Sequence, residues 1–200
     1  VTIPNNIVFN MTDFTLSTWF YWLGTSCNGE CPLVDRCTGS SCAKGYRLRT
    51  GSNYVSFSIG NGTEQSLSAG NPTTIGWHYL VGTYNSSGWQ SVYLDGTLKL
   101  NKSNPNIVML DKALDIGFRS GWNYYYNGSI DNVLILNRSL NSTEVTSLYN
   151  LGRKDITYTD ASLISAYRFD NSNVSVAQDT ISTNNGTFIN GAQYGYDTLG

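Results

Sequence analysis

From Gly76 to Leu136 the residues alternate in a way that a sheet satisfies and a helix does not. Trp77 to Tyr84 and Trp89 to Leu94 carry apolar side chains at every second position, and between them stand four turn formers, Asn85-Ser86-Ser87-Gly88. Asp95-Gly96 turns the chain again before Leu98 to Leu100, and a further strand is expected over Ser129 to Leu136. The polar segment after Leu136 leads to a short helix near 141–150, where Asn141 and Glu144 have the spacing of a capping box. Upstream, Phe14–Leu23 and Tyr46–Phe57 read as strands. The inner faces are expected to use Phe14, Leu16, Trp19, Val55, Phe57, Leu80, Val92, Leu94, Ile116, Ile130, Val133 and Ile135. These elements predict an all-β chain, an antiparallel β-sandwich jelly roll with one short α-helix.

Charge narrows the partners. Charged residues are 13% of the 200 and the net charge is −2, without a basic cluster, so the electrostatic footprint of a nucleic-acid-binding protein is absent. No apolar run approaches the roughly 20 residues of a membrane span. With neither an initiator Met nor a leader, the chain is read as a mature or excised form.

Two features point to an extracellular or cell-surface compartment. Nine N-x-S/T sequons begin at Asn10, Asn61, Asn85, Asn101, Asn127, Asn137, Asn141, Asn173 and Asn185. An Asn-, Ser- and Thr-rich chain generates several such triplets by chance, yet the number is that of a glycan-coated protein. Four cysteines, Cys27, Cys31, Cys37 and Cys42, crowd one segment. Their gaps do not follow the paired spacing of structural zinc sites, and the single histidine, His78, belongs to a strand, so disulfides are favoured over zinc. Spacing leaves connectivity open. The nested pairing Cys27–Cys42 with Cys31–Cys37 is preferred, stapling a loop over 24–45.

A family pattern runs through the same residues. Trp77-His78 with Gly82-Thr83-Tyr84, then Tyr93-Leu94-Asp95-Gly96, Ile116-Gly117, Gly128-Ser129-Ile130-Asp131-Asn132-Val133 and Asn141-Ser142-Thr143-Glu144-Val145 succeed one another. In order and spacing they resemble a laminin-G-like, concanavalin A-like jelly roll over most of residues 1–153. That resemblance implies a fold shared mostly by binding and structural modules, so fold alone does not give function.

The chain ends complicate the match. The opening strand expected before Val1 is missing, and its pattern stands at the far end. Ala166-Tyr167-Arg168-Phe169-Asp170 is followed by Asn185-Gly186-Thr187-Phe188 and Asn190-Gly191-Ala192-Gln193-Tyr194. The chain therefore divides into a jelly roll lacking its opening strands (1–152) and a C-terminal strand segment (153–200). That segment could complete its own sandwich, open a following repeat, or cross into a neighbour, because an unfilled sandwich exposes a strand edge. The favoured expectation is a non-catalytic extracellular subunit that assembles with copies of itself, head to tail, into a filament. Tyr167, Phe169, Phe188 and Tyr194 would be the donated plugs. The alternative is a carbohydrate-binding or adhesion module whose C-terminal strands act in cis.

Catalytic chemistry has little support. The carboxylates are scattered, without the strand-borne pair a glycosidase needs, and His78 has no nucleophile in view. The resemblance implies a structural calcium joining the opening and final strands, with Asp131 at the matching acidic position and Asp170 on the strand beside it. Hydrogen bonding of Asp131 to nearby backbone or Tyr groups is the equal alternative. For cell-surface glycans, the stacking candidates are Trp89, Trp122, Tyr124 and Tyr126, of which a strand can point about half outward.

Overall fold

A computed structural model describes residues 1–24, 29–39, 41–122, 124–153, 158–170 and 175–193. Two antiparallel sheets pack face to face. The eight-stranded sheet runs, with strands numbered along the chain, β15 (Val176–Ala177), β16 (Gly186–Thr187), β1 (Thr2–Ile3), β10 (Leu114–Ile116), β3 (Cys31–Cys37), β4 (Lys44–Gly51), β5 (Tyr54–Asn61) and β6 (Glu64–Gly70). The six-stranded sheet runs β14 (Leu163–Tyr167), β13 (Ile130–Leu136), β2 (Phe14–Trp22), β7 (Gly76–Tyr84), β8 (Trp89–Leu94) and β9 (Thr97–Ser103). A hairpin of β11 (Phe118–Arg119) and β12 (Tyr124–Tyr125) stands beside them. The jelly-roll sandwich read from the sequence is the one found.

The helix α1 (Ser142–Asn150) begins as expected. The Asn141 side chain accepts from the Glu144 amide, and Glu144 reaches back to the Asn141 amide. Asp95 adopts a left-handed φ of 51°, which the Asp95-Gly96 turn requires. Of the twelve expected core residues, Ile130 is only partly buried and the others are buried.

Trp19 needs a correction. Leu16 and Phe20 face the inter-sheet core, so Trp19, an odd number of residues from each, must point to the opposite side. It lies beneath α1 in a second cluster with Tyr79, Leu134, Val145 and Leu148.

The expected stapled loop over 24–45 is also different. Its middle is β3, a central strand paired with β10 and β4. Cys37 pairs with Cys42, which rules out both bonds of the nested arrangement. Their Cα atoms lie 4.7 Å apart across the β3–β4 turn, close enough to bridge without distorting the ladder. Cys31 is disulfide-bonded as well, while Cys27 lies outside the described residues.

The C-terminal segment closes its own sandwich. Strand β14 pairs with β13 in the register Val133↔Tyr167, and β16 pairs with β1 at Thr2↔Thr187. Tyr167 is fully buried and donates from its hydroxyl to the Asn184 carbonyl at 2.7 Å. Phe169 and Phe188 pack together on the same core, their ring centroids 6.5 Å apart. Tyr194 lies outside the described residues. The edge that strand donation would leave open is thus filled by the chain itself, as in the cis alternative.

Candidate functional site

Strand β4 spells Tyr46-Arg47-Leu48-Arg49. Tyr46 and Leu48 enter the core, so the period of two sends Arg47 and Arg49 to the outer face of the eight-stranded sheet. No third layer of the described chain is built over this face, yet both arginines are buried. Carboxylates cover them. Glu30 accepts from Arg47 Nη1 at 2.7 Å, from Arg49 Nη1, and from Arg119 Nη1 at 3.1 Å. Glu64, at the start of β6, binds Arg47 Nη2 at 2.7 Å and Arg49 Nη2 at 3.0 Å. Charge-assisted pairs of this kind fix orientation as well as position.

Deeper on the same face the network continues through Asp35 of β3 and Asp115 of β10, paired across the two strands. Lys112 Nζ stands 3.4 Å from Asp35 and 3.8 Å from Asp115, and Arg119 Nε stands 3.7 Å from Asp35. Burial raises the pKa of Asp35 above the ordinary carboxylate range, against the pull of Arg119 and Lys112. Ser56, Ser58 and Ser66 fill the floor beside Arg49, with Arg49 Nε donating to Ser56 Oγ at 3.2 Å and Ser58 Oγ bonded to Ser66 Oγ at 3.0 Å.

Aromatic rings bound this polar floor at both ends. The Arg49 guanidinium lies 5.3 Å from the centre of the Tyr54 ring, and that of Arg119 lies 5.8 Å from the Trp122 ring. Gly51 makes room for the first, because a Cβ there would stand 2.4 Å from Tyr54 Cζ. Trp122 stacks on Tyr124 with centroids 6.4 Å apart and planes 12° from parallel, and it leaves 44% of its own surface exposed. Trp122, Arg119, Glu30, Arg47, Glu64, Arg49 and Tyr54 therefore form one connected row.

Of the glycan-stacking candidates, only Trp122 and Tyr124 join this row. Tyr126 turns inward, donates to the Tyr21 carbonyl at 2.6 Å and meets the edge of Phe20. Trp89 is exposed on β8 of the other sheet. The Arg–Glu floor escaped the sequence reading because Glu30, Glu64 and Arg119 come from three separate segments. The alternation of Arg47 and Arg49 with core residues was the available signal.

Asp131, expected as a calcium ligand, pairs with a guanidinium. Asp131 Oδ2 accepts from Arg153 Nη1 at 2.8 Å and Oδ1 from the Asn132 amide at 2.8 Å, so both oxygens already have partners. Arg153 is held over the Trp77 ring at 4.2 Å. Asp170 is exposed just beyond β14, near enough for its charge to act on Asp131. Burial raises the pKa of Asp131 to about 6, with Asp170 adding to the shift and Arg153 opposing it. The described residues contain no group of three acidic, His or Cys side chains able to hold a metal. Arg153 supplies the positive charge beside Asp131.

None of the eight described sequon asparagines is buried. Asn101, Asn127, Asn137, Asn141 and Asn185 are exposed, Asn10, Asn61 and Asn85 are half-buried, and Asn173 lies outside the described residues.

Comparisons with known proteins bear on the fold. Residues 1–146 match the Laminin_G_3 family of the concanavalin A-like lectin/glucanases superfamily. The chain belongs to that family. No curated protein matches it in sequence. Among solved structures, a proposed carbohydrate binding protein from Bacteroides ovatus superposes with a TM-score of 0.67 at 16% identity, covering 88% of this chain and 52% of the other. Botulinum neurotoxin type C, whose cell entry depends on interaction with two ganglioside molecules, gives a TM-score of 0.56 at 20% identity, covering 73% and 37%. The binding domain of botulinum neurotoxin DC, solved in complex with SialylT, gives 0.57 at 16% identity, covering 75% and 38%. At such identities the likeness is one of fold, and this chain spans between about a third and a half of those proteins' length. Among the described residues, no helix is long and apolar enough to cross a membrane.

Proposed function

We propose that this chain is a non-catalytic carbohydrate-binding module of an exported protein, with the outer face of the eight-stranded sheet as its binding face. The observation that carries the proposal is the row from Trp122 to Tyr54: two aromatic rings bounding a floor of paired guanidinium and carboxylate groups. Sugar rings stack their apolar faces on aromatic side chains, while their hydroxyls need donors and acceptors side by side. Both glutamates are committed to guanidinium partners, which supports binding rather than glycoside hydrolysis. The Cys37–Cys42 disulfide and the unburied sequons support export and surface display.

The structural neighbours lend support at the level of fold, since a proposed carbohydrate binding protein and a neurotoxin that depends on gangliosides for cell entry are among them. Cis closure by β14 and β16 supports an independent module over a donated-strand subunit. The test is a glycan array probed with the intact chain, followed by titration of the best ligand into Trp122→Ala and Tyr54→Ala. Each variant should weaken binding by about tenfold, roughly 1.4 kcal/mol. An array without a single ligand, or binding indifferent to both substitutions, would sink the proposal.

A further inference from the structure

We infer that the outer-face site selects uncharged sugars and turns away those carrying a carboxylate or sulfate, with Glu64 as the specificity-determining residue; this rests on the glycan-binding reading above. The decisive feature is the depth of the charges. The Arg47 and Arg119 side chains are 1% exposed and that of Arg49 7%, against 28% for Glu30 and 16% for Glu64. A ligand approaching the row therefore meets carboxylates before guanidiniums.

The two glutamates differ in what they can still offer. Each oxygen of Glu30 already faces two guanidinium nitrogens: Oε1 those of Arg47 and Arg49, Oε2 those of Arg47 and Arg119. Glu64 engages Arg47 and Arg49 through Oε1 alone. Its Oε2 has no hydrogen-bond partner among the described residues and is not a buried atom. One anionic acceptor is thus left at the surface of the row, between Tyr54 and Trp122.

A sugar hydroxyl can donate to that oxygen. A carboxylate or sulfate can only repel it, and like charges set face to face across an interface are costly. The guanidiniums lie too deep to reverse the preference: the Arg47 and Arg119 side chains are 1% exposed and that of Arg49 7%, and each already donates to Glu30. Nor does the site carry a field for cationic ligands. Glu30, Glu64, Asp35 and Asp115 are matched by Arg47, Arg49, Arg119 and Lys112.

The experiment uses matched glycan pairs, each a neutral oligosaccharide and the same oligosaccharide bearing a sialate, uronate or sulfate. The chain should bind the neutral member at least about tenfold more tightly. Raising salt from about 50 to 500 mM should shrink the difference, since screening weakens like-charge repulsion. Glu64→Gln keeps an acceptor oxygen but removes the charge. It should cut the ratio of neutral to acidic affinity below about threefold, whatever it does to neutral affinity itself. The salt titration needs no variant, so the inference stays testable if Glu64→Gln folds poorly. Equal or tighter binding of the acidic members would overturn the inference while leaving glycan binding intact. Binding of neither member of any pair would instead overturn the glycan-binding reading, and this inference with it.

Discussion

The two sheets bury their outer faces by different means. Over the six-stranded sheet lies α1, and the side chains between are apolar or aromatic: Trp19 stacks on Tyr149, with Tyr79, Leu136 and Leu148 around them. Over the eight-stranded sheet no helix is described, and the outward positions of β4 hold arginines sealed by two glutamates. A face that only needs cover gains most from apolar area, at about 25 cal/mol per Å². Buried ion pairs stabilise little beyond what apolar replacements would, because desolvation offsets much of their attraction. Their concentration on the eight-stranded sheet, where Glu30 and Glu64 cover three guanidiniums, is what favours that face for the binding role proposed above.

Breaking the apolar face should cost the most. Trp19→Ala removes the largest ring under α1 and should lower stability by about 3–5 kcal/mol in urea denaturation. Glycan affinity, measured on the fraction still folded, should not change. Glu30→Ala should reverse the balance. It strips one cover from three guanidiniums, costs about 2–3 kcal/mol, and abolishes binding. A Glu30→Ala variant that lost stability yet bound glycans normally would make the outer face structural, and the contrast between the sheets would dissolve.

This contrast was half legible in the sequence. Alternation located Gly76–Tyr84 and Trp89–Leu94 almost to the residue, and the Asn141–Glu144 spacing fixed the start of α1. Parity alone could have placed Trp19 outside, since it is three residues from Leu16. What one strand cannot reveal is what meets it from elsewhere. Glu30 precedes β3, Glu64 opens β6 and Arg119 sits in a hairpin, and only the order β10-β3-β4-β5-β6 brings them together. The Cys37–Cys42 bond was hidden for the same reason. Once Cys31–Cys37 is a central strand, its first and last cysteines cannot reach each other, whereas the β3–β4 turn brings Cys37 to Cys42.

On the helix-covered side of the six-stranded sheet, Arg153 ties the chain just after α1 to that sheet through Asp131 and Trp77. Its carbonyl also accepts from Asn132 Nδ2 at 2.6 Å. Arg153→Ala leaves a buried carboxylate beside Asp170 and should cost about 2 kcal/mol at neutral pH. A chelator added to the unaltered chain should leave the thermal midpoint where it was. A midpoint that fell with chelator and recovered with calcium would show that a metal shares this position with the guanidinium.

The smallest effect concerns His78, which anchors the Asp95-Gly96 turn to β7. Its Nδ1 faces Asp95 Oδ2 at 2.8 Å and its Nε2 faces the Thr74 carbonyl at 2.9 Å. The carboxylate and the carbonyl can only accept, which favours a proton on both ring nitrogens, while the Thr74 hydroxyl, 3.4 Å from Nε2, can serve either form. Burial alone would lower its pKa. The hydrogen bond to Asp95, the bond to Thr74 and the Asp95 charge outweigh it, and the pKa rises above 6.5. A base whose folded value is raised binds its proton more tightly in the native state, so its contribution is complete below the unfolded value and is lost as pH climbs through the folded one. Asp131, raised to about 6, also makes stability decline with pH, but at lower pH, between its ordinary value and about 6. In the same window the amino group of Val1, whose pKa burial lowers from 8.0 to about 6, makes stability rise with pH, so the histidine is read as the difference between the chain and His78→Gln. The chain should lose stability relative to the variant as pH climbs through the raised histidine value, without a change in glycan binding, since the pair sits on the six-stranded sheet. A difference that stayed constant with pH would assign the titration to another group.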